Sequence, residues 1–314
     1  MAVSFEGQSV VITGAGGGLG RAYALEIARL GGKVVVNDLG GATSGVAGGE
    51  STSFADKVVD EIRAAGGTAV ANYDSVTTTE GGQAIVQTAL DHFGRIDAVI
   101  ANAGTMRYGD FESLTLEDLT SLLAVHVGGS WTVTQAAWPH MKRQGYGRVV
   151  FTTSSGGLLG NPSLSAYGAA KGGVMGLMHN LAEAGAPHGI ICNGITPNAA
   201  SRMTMEMSAG ELGENPWSAK LPQYFDPRYT AGLVAYLSSK ACTTHHGIYS
   251  MLCGRVGRAF IGYCDGYIQD APIDADTIAA HWDRINDDTA GYSIVKNVTD
   301  EFRVVVAELR GLKV

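Results

Sequence analysis

Charge and cysteine are both scarce in this chain. Only 17% of the 314 residues are charged, and acidic side chains outnumber basic ones to leave a net charge of −8, which argues against nucleic acid as a partner, since phosphates call for a basic face. A single basic pocket for an anionic ligand is not excluded by a global balance. The four cysteines, Cys192, Cys242, Cys253 and Cys264, include no Cys-x-x-Cys pair, and the eleven-residue spacing of the last three matches no zinc pattern. Buried thiols in a reducing, cytoplasmic setting are therefore expected, with no metal. No apolar run approaches the ~18 residues of a membrane span. Residues Met1 to Glu6 carry no secretory signal, and the final Gly-Leu-Lys-Val is no Ser-Lys-Leu-type peroxisomal address.

Glycine is abundant. With 44 glycines and 45% hydrophobic residues, the composition is that expected of a compact soluble enzyme rather than a disordered or fibrous chain. Short β-rich runs at Ser9–Thr13, Lys33–Asp38, Thr68–Asn72, Ile96–Ala101, Arg148–Thr153 and Gly189–Ile195 alternate with helix-like stretches at Gly18–Leu30, Ala55–Ala65, Gly82–Phe93, Leu116–Arg143 and Ser165–Ala184. That alternation predicts right-handed crossovers and a doubly wound parallel sheet, a Rossmann fold. Residues 1–240 are read as its dinucleotide-binding and catalytic domain. Residues 241–314 are read as a carboxyl-terminal extension of the same domain, with a last strand within His245–Leu252 and helices at Asp274–Asn286 and Val295–Leu309.

Ligands of such sheets bind beyond the carboxyl ends of the strands, and the candidate residues fall there. Thr13-Gly14-Ala-Gly-Gly-Gly18-Leu19-Gly20 runs from a strand into a helix, the context in which side-chain-free positions let a pyrophosphate reach backbone and helix amino end. Asp38 ends the next strand, where a carboxylate accepts both hydroxyls of an adenosine ribose and repels a 2′-phosphate, favouring NAD over NADP. Asp74 and Ser75 follow the third strand, Asp74 placed for the adenine amino group or for surface capping. Asn102, Ala103 and Gly104 follow the fourth strand beneath the cofactor.

Ser154 ends an apolar strand-like run, and Tyr167 and Lys171 stand four apart, hence on one face of a helix. An ammonium held close favours a phenolate, and so lowers the phenol from its usual value near ~10 to make a general acid/base. Ser154 supplies a hydroxyl for a carbonyl or alcohol oxygen.

The glycine turn, Asn102-Ala-Gly104, Ser154 and Tyr167-x-x-x-Lys171, in this order, resemble the short-chain dehydrogenase/reductase family over about the first 240 residues. The resemblance implies hydride transfer between nicotinamide and an alcohol or ketone carbon. Tyr167 would exchange the proton, Ser154 orient the oxygen, Lys171 hold the nicotinamide ribose, and Pro197 border the cofactor. Family members usually have asparagine where this chain has His126; the histidine either completes a proton path from Lys171 through water or caps helix carbonyls. Ala101 replaces the first asparagine of Asn-Asn-Ala-Gly, and Asn198 stands where many relatives have glycine.

Three further stretches, Val35–Gly41, Ala69–Val76 and Pro197–Thr204, are similar to the (3R)-hydroxyacyl-CoA dehydrogenase module of peroxisomal multifunctional enzymes of type 2. That likeness implies a free-standing, NAD-dependent enzyme interconverting 3-hydroxyacyl-CoA and 3-oxoacyl-CoA. A hydroxysteroid or sterol-side-chain-CoA dehydrogenase is the alternative, followed by a 3-oxoacyl-carrier-protein reductase and a non-catalytic NAD-binding protein. Arg202, Arg228, Arg255 and Arg258 are candidates for the CoA phosphates or ordinary surface charges. Met203, Met205 and Met207 are candidates for an apolar wall or core packing. A homodimer or homotetramer through Leu116–Arg143 and Ser165–Ala184 is implied by the family.

Overall fold

Runs of β-branched and small apolar residues lay down a parallel sheet. A computed structural model describes residues 2–40, 52–197, 222–295 and 297–302. Strands β1 (Ser9–Thr13), β2 (Lys33–Asn37), β3 (Thr68–Asn72), β4 (Ala98–Ala101), β5 (Gly147–Thr152), β6 (Ile190–Pro197), β7 (Ile248–Leu252) and β8 (Arg255–Ala259) form one sheet in the order β3-β2-β1-β4-β5-β6-β7-β8. Strands β1 to β7 pair in parallel. Residues of β1, β4 and β5 are buried throughout, as a sheet covered on both faces requires.

Helices α1 (Gly18–Arg29), α2 (Thr52–Ala64), α3 (Thr79–Phe93), α4 (Leu116–Leu123), α5 (Gly129–Gln144), α6 (Ser155–Leu158), α7 (Ser165–Gly185) and α8 (Arg228–Ser238) join the strands. One apolar cluster binds Val10, Ile12, Val34 and Val36 of the sheet to Ala24 and Ile27 of α1, Val58 and Ile62 of α2, and Val234 and Leu237 of α8. Because the chain passes from β1 outward to β3 and then returns to β4 on the other side of β1, the crevice opens between the carboxyl ends of β1 and β4.

Three details depart from the sequence expectation. Leu116–Arg143 is not uniformly α-helical: a π-helical turn, Ala124–Gly128, separates α4 from α5 and carries His126, and such bulges favour functional positions. The last strand does not end the sheet, because Cys253 and Gly254, at φ 50° and 80°, turn the chain back into β8; two central residues at positive φ are what a tight hairpin requires. Helix α8 lies in a stretch to which no element had been assigned.

The described chain divides into two units, Met1–Arg258 and Ala259–Val314. In the second, β9 (Gly262–Cys264) pairs antiparallel with β10 (Tyr292–Ile294), and the expected helix at Asp274–Asn286 is two short ones, α9 (Ala275–Ala280) and α10 (Trp282–Ile285). Tyr267 stacks on His281 with ring centroids 3.9 Å apart. Of the helix expected over Val295–Leu309, the described part holds a single turn at Val298–Asp300. Among the described residues no helix is long and apolar enough to cross a membrane.

Arg148 of β5 ties the first unit together at the end of the sheet remote from the crevice. Its buried guanidinium donates to the carbonyls of Gly147 (2.8 Å), Ser239 (3.2 Å) and Cys242 (3.3 Å) and lies over the Tyr146 ring. Replacing it by methionine removes a donor from each of those carbonyls, of which Ser239 keeps the Cys242 N–H. Arg148→Met should therefore lower unfolding free energy by about 2–3 kcal/mol, measured by urea denaturation.

Candidate functional site

The glycine turn follows directly from the end of β1. Gly14 adopts φ 63°, and a Cβ there would lie 2.8 Å from the Cα of Ala103; a Cβ on Gly20 would lie 2.3 Å from the carbonyl oxygen of Gly14. Only hydrogen fits either place. Thr13, which the sequence reading quoted without giving it a task, locks the turn to β4: its hydroxyl accepts from the N–H groups of Asn102 and Ala103, both at 3.0 Å. Asn102 Nδ2 returns the bond to the carbonyls of Thr13 (2.9 Å) and Gly14 (3.1 Å). Helix α1 begins without a side-chain cap or an acidic residue in its first turn, leaving its amino end suited to an anion. Leu19 packs into the core beside it.

Asp38 directly follows β2 and crosses the turn. Its two carboxylate oxygens accept from the N–H of Gly16 and of Gly40, both at 2.8 Å, and retain lone pairs for further donors. One strand further out, Asn72 Nδ2 donates to Asp74 Oδ2 (2.7 Å) and to Thr88, and Asn37 Nδ2 donates to Asn72 Oδ1 and the Asp74 carbonyl. Thr13, Asn37 and Asn72 stand opposite one another in register, so this polar row is the carboxyl edge of the sheet. Neither Asn37 nor Asn72 was singled out from the sequence; their register becomes visible only when the strands pair. The Ser75 hydroxyl pairs with that of Thr77 at the entrance to α3. Pro197 closes β6 opposite Met251.

The catalytic candidates converge from β5, α6 and α7. Ser154 caps α6, accepting from the Gly156 N–H at 3.1 Å, and its side chain lies close enough to Tyr167, in the first turn of α7, to act on the phenol. Lys171, one turn further on and only 3% exposed, donates from Nζ to the carbonyl of Thr152 at 2.7 Å, with Nζ 5.7 Å from the centre of the Tyr167 ring. Burial, with no carboxylate to oppose it, pushes this ammonium down to about 7. Burial also pushes Tyr167 up to about 12, against a smaller lowering by Ser154. This direction is opposite to the one expected from a neighbouring cation alone: the cost of stripping water from the phenolate dominates.

His126 lies beside this group, its ring edge-on to Tyr167 with centroids 5.4 Å apart. Of the basic candidates, Arg228 is exposed and paired with Asp226. Arg258 acts on His246, which precedes β7 and so stands at the amino end of the strands, away from the crevice. Arg255 follows the hairpin turn at the carboxyl end. Arg202 and the three methionines, with Asn198, fall outside the described residues. The cysteines are free thiols, Cys192 and Cys242 buried, and no three metal-ligating side chains gather among the described residues.

A dinucleotide crevice and a Ser–Tyr–Lys group at adjoining strand ends define a nicotinamide-dependent oxidoreductase. The chain belongs to the short-chain dehydrogenase/reductase family: the family profile described as short chain dehydrogenase matches residues 8–212. A short-chain type dehydrogenase/reductase of Mycobacterium tuberculosis is 45% identical over 88% of this chain and 93% of its own length. The peroxisomal multifunctional enzyme type 2 of Mus musculus is 44% identical over 90% of this chain, which spans only 37% of that longer protein. Among solved structures, the full-length peroxisomal multifunctional enzyme type 2 of Drosophila melanogaster superposes with a TM-score of 0.77 at 29% identity, covering 99% of this chain and 51% of that one.

The low value of Lys171 has a thermodynamic consequence. Its ordinary value is 10.5 and its folded value about 7, so between these pH values the unfolded chain binds the extra proton and stability rises with pH. Lys171→Met removes that penalty. Relative to the wild type, its unfolding free energy should be higher by a few kcal/mol at pH 6 than at pH 10, measured by urea denaturation at both pH values, while turnover falls more than ~100-fold.

Proposed function

We propose that this protein is an NAD-dependent dehydrogenase that interconverts 3-hydroxyacyl-CoA and 3-oxoacyl-CoA, with Tyr167 as general acid/base. The observation that carries this reading is the convergence of Ser154, which lowers the Tyr167 phenol, with Tyr167 itself and the Lys171 ammonium buried one turn away. The residues fit the cofactor. The glycine turn and the open amino end of α1 suit a pyrophosphate, and Asp38 at the end of β2 suits an unphosphorylated ribose.

NAD, when bound, would supply the acceptor for the hydride lost by the carbinol carbon. The Ser154 hydroxyl hydrogen-bonds the substrate oxygen and holds it at Tyr167 Oη. The phenolate form of Tyr167 takes the hydroxyl proton as the C–O bond becomes a carbonyl; in reduction the neutral phenol returns it. Lys171, fixed by Thr152, favours the phenolate from a position where water does not screen it. Met106, Leu114, Leu119, Leu123 and Leu164 pack against the cluster containing Tyr167, an apolar wall suited to an acyl chain. One relative is named a peroxisomal hydratase-dehydrogenase-epimerase, and a dehydrogenase paired with a hydratase supports a hydroxylated substrate; the family's habit supports a homodimer or homotetramer.

Because oxidation needs the phenolate and reduction the phenol, kcat/KM for oxidation should rise with pH and that for reduction should fall. Purified protein should reduce NAD with (3R)-hydroxyacyl-CoA of short and long chain, and the Tyr167→Phe variant should not. Turnover of free hydroxysteroids with none of the thioesters would replace the substrate assignment. Asp38→Ser should shrink the preference for NAD over NADP at least about tenfold, read as the ratio of kcat/KM values; an unchanged ratio would remove Asp38 from cofactor selection.

A further inference from the structure

The His126 ring is held between two parts of the crevice. Its Nε2 lies 2.8 Å from the Thr105 carbonyl oxygen, a separation that requires Nε2 to carry the proton and donate it, since two bare acceptors repel. The Thr105 N–H, at 3.3 Å from the same nitrogen, is the longer contact. With Nε2–H committed to a carbonyl, Nδ1 is a bare acceptor, and it is buried with no hydrogen-bond partner among the described residues. The ring carbon Cε1 fills the space beside Gly104: a Cβ on that glycine would lie 2.5 Å from it. On the other side the ring meets Tyr167 edge-on, at an interplanar angle of 86°. The π turn Ala124–Gly128 places the ring there, and its register is fastened by Ser130, whose hydroxyl donates to the His126 carbonyl at 2.6 Å.

A proton relay needs two exits. A proton arriving at Nδ1 would have to leave from Nε2 to a peptide carbonyl, which does not take up protons near neutral pH, so the path is closed at that end. Burial and the adjacent Lys171 ammonium also hold the imidazole well below its ordinary value, and a charged ring would sit beside another buried cation.

Resting on the dehydrogenase reading, we infer that His126 is a positioning residue: an uncharged wedge that holds Gly104–Thr105 against the glycine turn and braces Tyr167, without carrying protons. Gly104 and His126 are then a matched pair, one lacking a side chain because the other fills its space.

The test couples the two positions. NADH is titrated by fluorescence into the wild type, Gly104→Ala, His126→Asn and the double variant, and the titration is repeated with NADPH. Gly104→Ala alone should weaken binding about tenfold or more, and shortening the side chain with His126→Asn should restore affinity to within about threefold of His126→Asn alone. Additive losses would overturn the wedge. His126→Gln keeps an amide donor for the Thr105 carbonyl and has nothing that titrates; with any alcohol the enzyme oxidises, its pH–rate profile should coincide with the wild type. A displacement of that profile by more than about half a pH unit would restore the relay. A wild type that binds neither dinucleotide would overturn the dehydrogenase reading and this inference with it, whereas wild-type binding with additive variants would overturn only the wedge. Thermal midpoints measured alongside separate lost binding from lost folding.

Discussion

Burying an ammonium costs several kcal/mol unless other charges or dipoles replace its water, and Lys171 is buried with a carbonyl rather than a carboxylate as its partner. Everything else at the site is compatible with that choice. A carboxylate would have stabilised the lysine and neutralised its field; the Thr152 carbonyl fixes its position and leaves its charge available to Tyr167. The cost is borne by the sheet. Thr152 ends a strand buried along its whole length, and β5 is paired on both sides, with β4 and β6. The carbonyl cannot move away from the lysine without breaking the middle of the sheet.

The same economy governs the dinucleotide crevice. Thr13, Asn37 and Asn72 stand in register at the sheet edge, and each spends its polar atoms on a neighbouring loop. Thr13 holds the fourth-strand segment, while Asn37 and Asn72 hold Asp74. The loops that would touch a cofactor are thereby fixed to strands before any ligand arrives, which reduces the ordering cost of binding. His126 extends this bracing to Thr105, and the π turn is the backbone irregularity that lets it reach.

Much of this was legible in the residues. Alternating β-rich and amphipathic stretches placed β1 to β6 within a few residues of their positions, and Ser154, Tyr167 and Lys171 were read as facing one cleft because helical spacing and strand ends are local properties. What could not be read was set by non-local contacts. The direction of the Tyr167 shift depends on how much water the fold excludes, which a four-residue spacing does not encode. The π turn ends on Gly128-Gly129, but a glycine pair does not specify a π turn, and the Cys253–Gly254 hairpin lacks the Asn-Gly or Asp-Gly turn that would have announced it. Thr13 was passed over because its partners, Asn102 and Ala103, are almost ninety residues away.

The account stands on Lys171 being a buried, readily deprotonated ammonium whose charge is not cancelled by a partner. The most direct test is a titration of that one side chain by nitrogen-15 NMR of lysine-labelled protein, assigned with Lys171→Met. A midpoint near 7, against an ordinary lysine value of 10.5, is the predicted result. A midpoint at or above 10 would contradict it, because the ammonium would then have to be hydrated or paired rather than buried against a single carbonyl.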